Sequence, residues 1–268
     1  MDFNLIASNL LSPPILFFFL GILACLLRSD LEIPQPLPKF FSLYLLLSIG
    51  FKGGAELHKS GFTPEIAWTL GAGILMAVFV PAWTFLVLRR KLDVPNAAAV
   101  ASAYGSVSAV TFIAASALLS QLEIHFGGHM IAALAVMESP AIVIGVALVR
   151  WFDATEGNEA RNISWKRLLH DAFANGSVFL LCGALLIGMT TGIAAFIARW
   201  IGIGPGDAFL FVTLCASASY IAVPAAMRIA VPAANPGIYV TMSLALTFPF
   251  NIILGLPTYL AVIQNFWK

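Results

Sequence analysis

The sequence predicts an all-α polytopic membrane protein, a degenerate inverted repeat of five spans plus about three that carries two crossed, broken helices. Three observations lead there. Hydrophobic residues make up 60% of the 268 and charged residues only 10%, whereas a soluble domain spends roughly a quarter of its residues on charge. The apolar residues fall into runs of membrane-crossing length, about 20 residues each. The chain also matches itself in two blocks, spaced so that the copies enter the bilayer from opposite sides.

Taken in order, apolar runs punctuated by charge give span 1 at 11–28, span 2 at 40–57, span 3 at 65–89, span 4 at 96–120 and span 5 at 129–151. The longest hydrophilic stretch, Asp153 to Lys166, follows, and then span 6 within 172–201, span 7 at 206–228 and span 8 at 236–263. The organisation expected is a first membrane repeat over 1–152, a cytoplasmic loop over 153–170 and a shortened second repeat over 171–268. No Lys or Arg precedes Arg28, so the start lacks the basic region of a signal peptide and the first apolar run is expected to be a retained span. Within 172–201 one tilted helix is favoured over two, since Thr190-Thr191-Gly192 weakens a helix without forbidding it.

Basic residues bias topology towards the cytoplasmic side. Arg28, Lys39, Arg89, Arg90, Lys91, Arg150, Arg161, Lys166, Arg167 and Arg228 fall on one set of loops, and Lys52, Lys59, Arg199 and Lys268 on the other. Both termini are therefore expected outside, with the 153–166 loop in the cytoplasm of a cell inner (plasma) membrane protein. A net charge of +1 with no basic run longer than Arg89-Arg90-Lys91 gives no basis for nucleic-acid binding. Cys25, Cys182 and Cys215 are far apart in apolar surroundings, an arrangement of buried side chains and not of metal or disulfide chemistry. His58, His125, His129 and His170 sit at span ends and are expected at the interface.

Phe17 to Leu23 resembles Phe179 to Leu185 at an offset of 162, and Asn96 to Ala115 aligns with Asp207 to Ala226 at an offset of 111. The second register superposes Ser106 on Ser217 and Ser108 on Ser219, with Ala97, Ala114 and Ala115 on Ala208, Ala225 and Ala226. Five spans precede the second copy, an odd number, so the copies are inverted, as in many secondary transporters. From Gly21 to Ser106 is 85 residues and from Gly183 to Ser217 only 34. The second copy is thus shorter by about two spans, a loss that keeps the direction of the helices that follow.

Spans 4 and 7 carry the unusual residues. One reads Tyr104-Gly105-Ser106-Val107-Ser108-Ala109-Val110-Thr111, the other Ala216-Ser217-Ala218-Ser219-Tyr220-Ile221-Ala222-Val223-Pro224. Each sets small hydroxylated residues beside a helix-weakening Gly105 or Pro224. Unwound backbone at membrane depth survives only where protein or a water-filled cavity satisfies it. Two such breaks that cross would present half-helix N-termini to an anion, with Gly105, Ser106, Ser108, Ser217, Ser219 and Tyr220 as anion-binding candidates. Hydroxyls and free carbonyls equally suit a hard cation, and the sodium candidates are Ser108, Thr111, Ser217, Ser219, Glu138 and Asn251. The competing reading is that these small residues only allow close helix packing.

Glu138, in Met137-Glu138-Ser139-Pro140, is the one carboxylate well inside an apolar run, and intramembrane acids usually face a pathway or a partner. Pro140 is expected to disturb the helix there. Asn251, in Thr247-Phe248-Pro249-Phe250-Asn251, occupies a loosely corresponding stretch of span 8. Each has a plainer alternative, a protonated core residue for Glu138 and an interhelical hydrogen bond for Asn251. Asn96 and Asp207, at the starts of spans 4 and 7, are expected to be helix caps.

Ile49-Gly50-Phe51-Lys52-Gly53-Gly54, Gly105 to Thr111, Ala216 to Ala226, and Ala234-Asn235-Pro236-Gly237-Ile238-Tyr239 through Asn251 resemble the sodium-dependent bicarbonate permeases. The resemblance covers nearly the whole chain. It implies five plus five helices, a mobile core against a gate domain, sodium-coupled bicarbonate symport by alternating access, a homotrimer and a P-II-like regulatory partner. The chain departs from that pattern in its second half, where the second and third helices are expected to be absent, with Thr190-Thr191-Gly192 running straight into Ile193-Ala194-Ala195, and in its short 153–166 loop. Two other readings stay open: a transporter of another small organic anion, as in bile-acid-type symporters, and a non-transporting paralogue or truncated form. Enzyme chemistry is not expected. There is no intramembrane Asp pair, no Gly-x-Ser-Gly with a mid-span His and no Lys in the last span for retinal. No cofactor is expected beyond sodium as the coupling ion.

Overall fold

The computed structural model describes residues 11, 13–27, 29, 34, 36–153 and 176–268, and all regular structure among them is helical. Prolines open many of the helices. A proline at the first turn forfeits only an N–H that has no intrahelical partner there, and its fixed φ suits the helix. The chain runs α1 Pro13–Leu26, α2 Pro36–Ser60, α3 Pro64–Leu88, α4 Val94–Gly105, α5 Ala109–Gln121, α6 His129–Asp153, α7 Gly176–Ile201, α8 Pro205–Ala216 and α9 Ala222–Ala230, and closes with α10, Pro236–Phe266. Side-chain caps secure several of these starts: Thr63 accepts from the Ile66 N–H, Asp93 from the Asn96 N–H and Asn235 from the Gly237 N–H.

Each of the eight expected segments holds helix. Pro64–Leu88, Val94–Gln121, His129–Phe152, Gly183–Ile201 and Pro236–Phe266 are long and apolar enough to cross a membrane among the described residues. The expected single helix over 172–201 is observed as α7, continuous through Thr190-Thr191-Gly192. Residues 154–175, which include most of the hydrophilic loop, His170 and the beginning of that span, lie outside the described residues, as do the side chains of Cys25 and Cys182. Cys215 is a buried free thiol.

The pair α4–α5 forms the centre: 78% of its apolar window is buried, against 39% for α3 and 33% for α6. Helices α3, α6 and α9 pack on α4, while α8 packs on α5, α7 and the end of α10. Outward, Phe51, Trp68, Phe79, Val143, Trp151, Phe196 and Trp200 are exposed, the apolar surface that lipid tails solvate.

Helix α7 takes a place that its sequence match does not indicate. The resemblance of Phe179 to Leu185 to span 1 aligns its beginning with the first helix of the repeat. Its C-terminal part instead packs along α8 as α3 packs along α4. The buried positions of α3, namely Gly73, Met76, Ala77, Val80, Pro81, Thr84, Phe85 and Leu88, recur in α7 at Gly183, Leu186, Ile187, Thr190, Thr191, Ala194, Ala195 and Ala198. The spacing is the same at every step. The third helix expected to be absent from the second repeat thus has its place filled by the later turns of α7, because α8 needs a buried neighbour as α4 does.

Pro140 does not break α6, which runs unbroken from His129 to Asp153. It removes one rung of the helical ladder, and the neighbouring helices hold the rest in place. The disturbance appears in α10 instead, where Thr241–Thr247 and Asn251–Gly255 are wound as π-helix around Pro249. There the Phe248 N–H reaches back to the Ser243 carbonyl and the Thr247 hydroxyl donates to the Met242 carbonyl at 2.8 Å. Proline cannot donate in the α pattern, and a wider turn accommodates the vacated carbonyls.

Candidate ion site at the crossed helix breaks

The fourth and seventh spans are each two half-helices joined by extended backbone. The first break covers Ser106–Ser108 and the second Ser217–Ile221. Ser106 ends α4 at φ −90°, ψ 175°, and Ser217 ends α8 at φ −86°, ψ 168°. The two serines matched by the repeat register therefore leave their helices in the same conformation. The breaks also meet. The Ser108 N–H donates to the Ser217 hydroxyl at 2.9 Å, and the Ser219 N–H donates to the Ala103 carbonyl at 2.8 Å. The first half of each helix lies against the second half of the other, α4 on α9 and α8 on α5. Two crossing helices pair in that way when they run in opposite directions.

Gly105 has its own local reason. A Cβ there would run into the Pro81 ring of α3, so glycine lets α3 close on the end of α4. Beyond it, Ser106 donates its hydroxyl to the Glu138 carbonyl at 3.1 Å, which fixes α6 against the first break. Asn251 occupies the comparable place on α10. Its amide donates to the Ala216 carbonyl at 3.1 Å, and its carbonyl accepts from the Tyr259 hydroxyl at 2.6 Å.

A cavity of about 20 Å³ opens at the crossing, lined from the breaks by Val107, Ser108, Ala109 and Ser219–Ile221, from α6 by Glu138, and from α2 by Leu45 and Ile49. That is room for about one water-sized sphere. Four of the candidate residues face it: Ser108, Glu138, Ser219 and Tyr220. Gly105, Ser106, Thr111, Ser217 and Asn251 are buried in the structure around it.

The hydrogen bonds define what each group can offer. The Ser108 hydroxyl caps α5, accepting the Thr111 N–H at 3.2 Å and the Thr111 hydroxyl at 2.9 Å. A serine oxygen has two lone pairs and one proton; both lone pairs are taken, so Ser108 has only its proton left, within reach of the Tyr220 hydroxyl and of a ligand that displaces it. The Ser219 hydroxyl accepts the Val223 N–H at 3.4 Å and retains both a lone pair and its proton. Ser217 is committed on both sides, donating to the Leu214 carbonyl at 2.9 Å while accepting from Ser108. The Tyr220 hydroxyl faces Ser108. The Glu138 carboxylate has no hydrogen bond or ion pair with any described residue. Proton donors at the start of a half-helix suit an anion, and a carboxylate with a spare hydroxyl oxygen suits a hard cation.

Asn96 and Asp207 are not the caps expected from sequence. Asp93 caps α4, and α8 begins at Gly204 with no side-chain cap. Their side chains reach across the molecule instead. Asn96 accepts the Asn235 N–H at 2.7 Å and Asp207 accepts the Gly127 N–H at 2.6 Å. His129, expected at the interface, is buried beside Asp207. Sequence reasoning missed this pairing, although the alignment of Asn96 with Asp207 was its visible signal.

Two inverted repeats whose broken helices cross at a small cavity define a polytopic membrane protein of the inverted-repeat type. The chain belongs to the Na+-dependent bicarbonate transporter superfamily, whose model matches residues 13–196 and 190–264. The two matched stretches meet at 190–196, inside α7, where the repeat comparison puts the missing helices. No individual curated protein matches the chain.

Proposed function

We propose that the protein is a sodium-coupled bicarbonate symporter working by alternating access, with its ion site at the crossing of the two breaks. The observation that carries this reading is the division of labour around one cavity. Ser108 has only a proton to offer and stands at the N-terminus of α5, while Glu138 and the Ser219 oxygen offer negative charge and a lone pair a few side chains away. An anion held by the first group and sodium held by the second neutralise each other, which lowers the cost of bringing either into the membrane. Binding both together is what a symporter requires. At about 20 Å³ the cavity must widen to admit both ions, and a small oxyanion requires less widening than a bulky organic one.

The Tyr104–Thr247 hydrogen bond at 2.7 Å and the π-wound turns of α10 lie beside the end of α4. Such turns are rare and concentrate at functional sites, and here they mark the place where the crossed helices would shift against α10 during the transport cycle. The test is uptake of labelled bicarbonate into proteoliposomes in sodium or choline medium at fixed pH. Uptake should rise saturably with sodium. Equal uptake in both media rejects the coupling, and no uptake in either points to the non-transporting alternative.

A further inference from the structure

We propose that Asn96 and Asp207 are a symmetry-related pair of positioning residues, each tying the start of one broken helix to the start of the other repeat's last helix and so fixing the crossing at which the site forms. The two residues occupy matched positions in the register that pairs Ser106 with Ser217 and Ser108 with Ser219. Both lie in the first turn of a first half-helix, Asn96 buried and Asp207 half-buried. Asn96, in the first repeat, holds the Asn235 N–H at the head of α10 in the second repeat; Asp207, in the second, holds the Gly127 N–H just ahead of α6 in the first.

Both anchored segments are the heads of helices that contact the site. Asn235 caps α10, and the Gly127 carbonyl accepts the Met130 N–H in the first turn of α6. Farther along, α6 brings Glu138 to the cavity and α10 brings Asn251 to the end of α8. Ten residues separate Asn96 from Ser106 and Asp207 from Ser217, about 15 Å along a helix. A tie at that distance touches no ligand, but it sets where each half-helix enters the crossing.

The difference between the twins is informative. An amide is sufficient for the tie in the first repeat, so the tie in the second does not require a charge. The second Asp207 oxygen stands 4.0 Å from the Nε2 of His129, which is buried without a hydrogen-bond partner among the described residues. The carboxylate therefore has a neighbour that Asn96 lacks, and the tie itself remains a neutral acceptor's task.

This inference rests on the sodium-coupled reading for its transport readout, so the experiment has two arms. Asn96→Ala, Asp207→Ala and Asp207→Asn are compared with wild type in one detergent preparation and in proteoliposomes. In the first arm, amide hydrogen exchange should speed up in the peptide containing Asn235 for N96A and in the peptide containing Gly127 for D207A, with D207N close to wild type. In the second, the two alanine variants should raise the sodium concentration for half-maximal uptake about fivefold, the scale of one buried hydrogen bond, and D207N should restore it. Unchanged exchange in the alanine variants overturns the tie. Faster exchange with unaltered sodium dependence overturns the positioning role and leaves a purely structural contact. A wild type without sodium-dependent uptake overturns the transport reading alone, and the exchange pattern then decides whether the ties exist.

Discussion

Ser108 and Ser219 show how far single residues carry the account. Their matched register was legible in the sequence, and the structure puts both on one cavity. The sequence could not say which hydroxyls are free, because that depends on partners such as Thr111 and Leu214 that only folding brings into reach. Ser108→Ala and Ser219→Ala should each lower sodium-dependent uptake at least about tenfold while folding loses no more than a local helix-start hydrogen bond, about 1 kcal/mol. Normal uptake in both variants would return the serines to a packing role. Glu138→Gln keeps the shape of the side chain and removes its charge. It should weaken sodium dependence far more than it lowers the amount of folded protein. Sodium titration of uptake checks this, and an unchanged half-saturation would remove Glu138 from the cation's shell. Asn251 was assigned to the cation by analogy with Glu138. Its amide is bonded to Ala216 and its carbonyl to Tyr259, and it does not line the cavity, which supports its alternative as an interhelical tie.

At the scale of elements, the breaks in spans 4 and 7 were legible because small hydroxylated residues interrupt apolar runs at the same register. The intactness of α6 was not, since Pro140 and Pro249 look alike in sequence and differ in what surrounds them. The role of α7 was also hidden, because the match of its N-terminal end to span 1 says nothing about which neighbour its later turns cover. Packing between α3 and α4 gives a direct test. Gly105→Ala should destabilise by about 1–3 kcal/mol through overpacking against the Pro81 ring, read as a lower melting temperature in detergent. The twin position already carries a methyl at Ala216, and there α7 has Thr191 in the place of Pro81. Ala216→Gly should therefore leave the site assembled. A G105A variant that melts like wild type would mean that α3 does not close on α4 as described.

For the whole molecule, the charge bias of the loops leads to the expectation that both termini lie outside. With Cys25, Cys182 and Cys215 replaced, a single cysteine at Lys268 should react with an impermeant maleimide in intact cells, and one at Arg161 only after permeabilisation. The reverse pattern would invert the topology without altering the site. The central claim concerns energy coupling: on the proposed reading, a shortened inverted repeat binds sodium and bicarbonate at one crossing and moves them together. The most direct measurement is accumulation of labelled bicarbonate in proteoliposomes under an imposed inward sodium gradient. The account predicts accumulation above the external concentration that collapses when a sodium ionophore dissipates the gradient. Bicarbonate that only equilibrates, with or without the gradient, would contradict it.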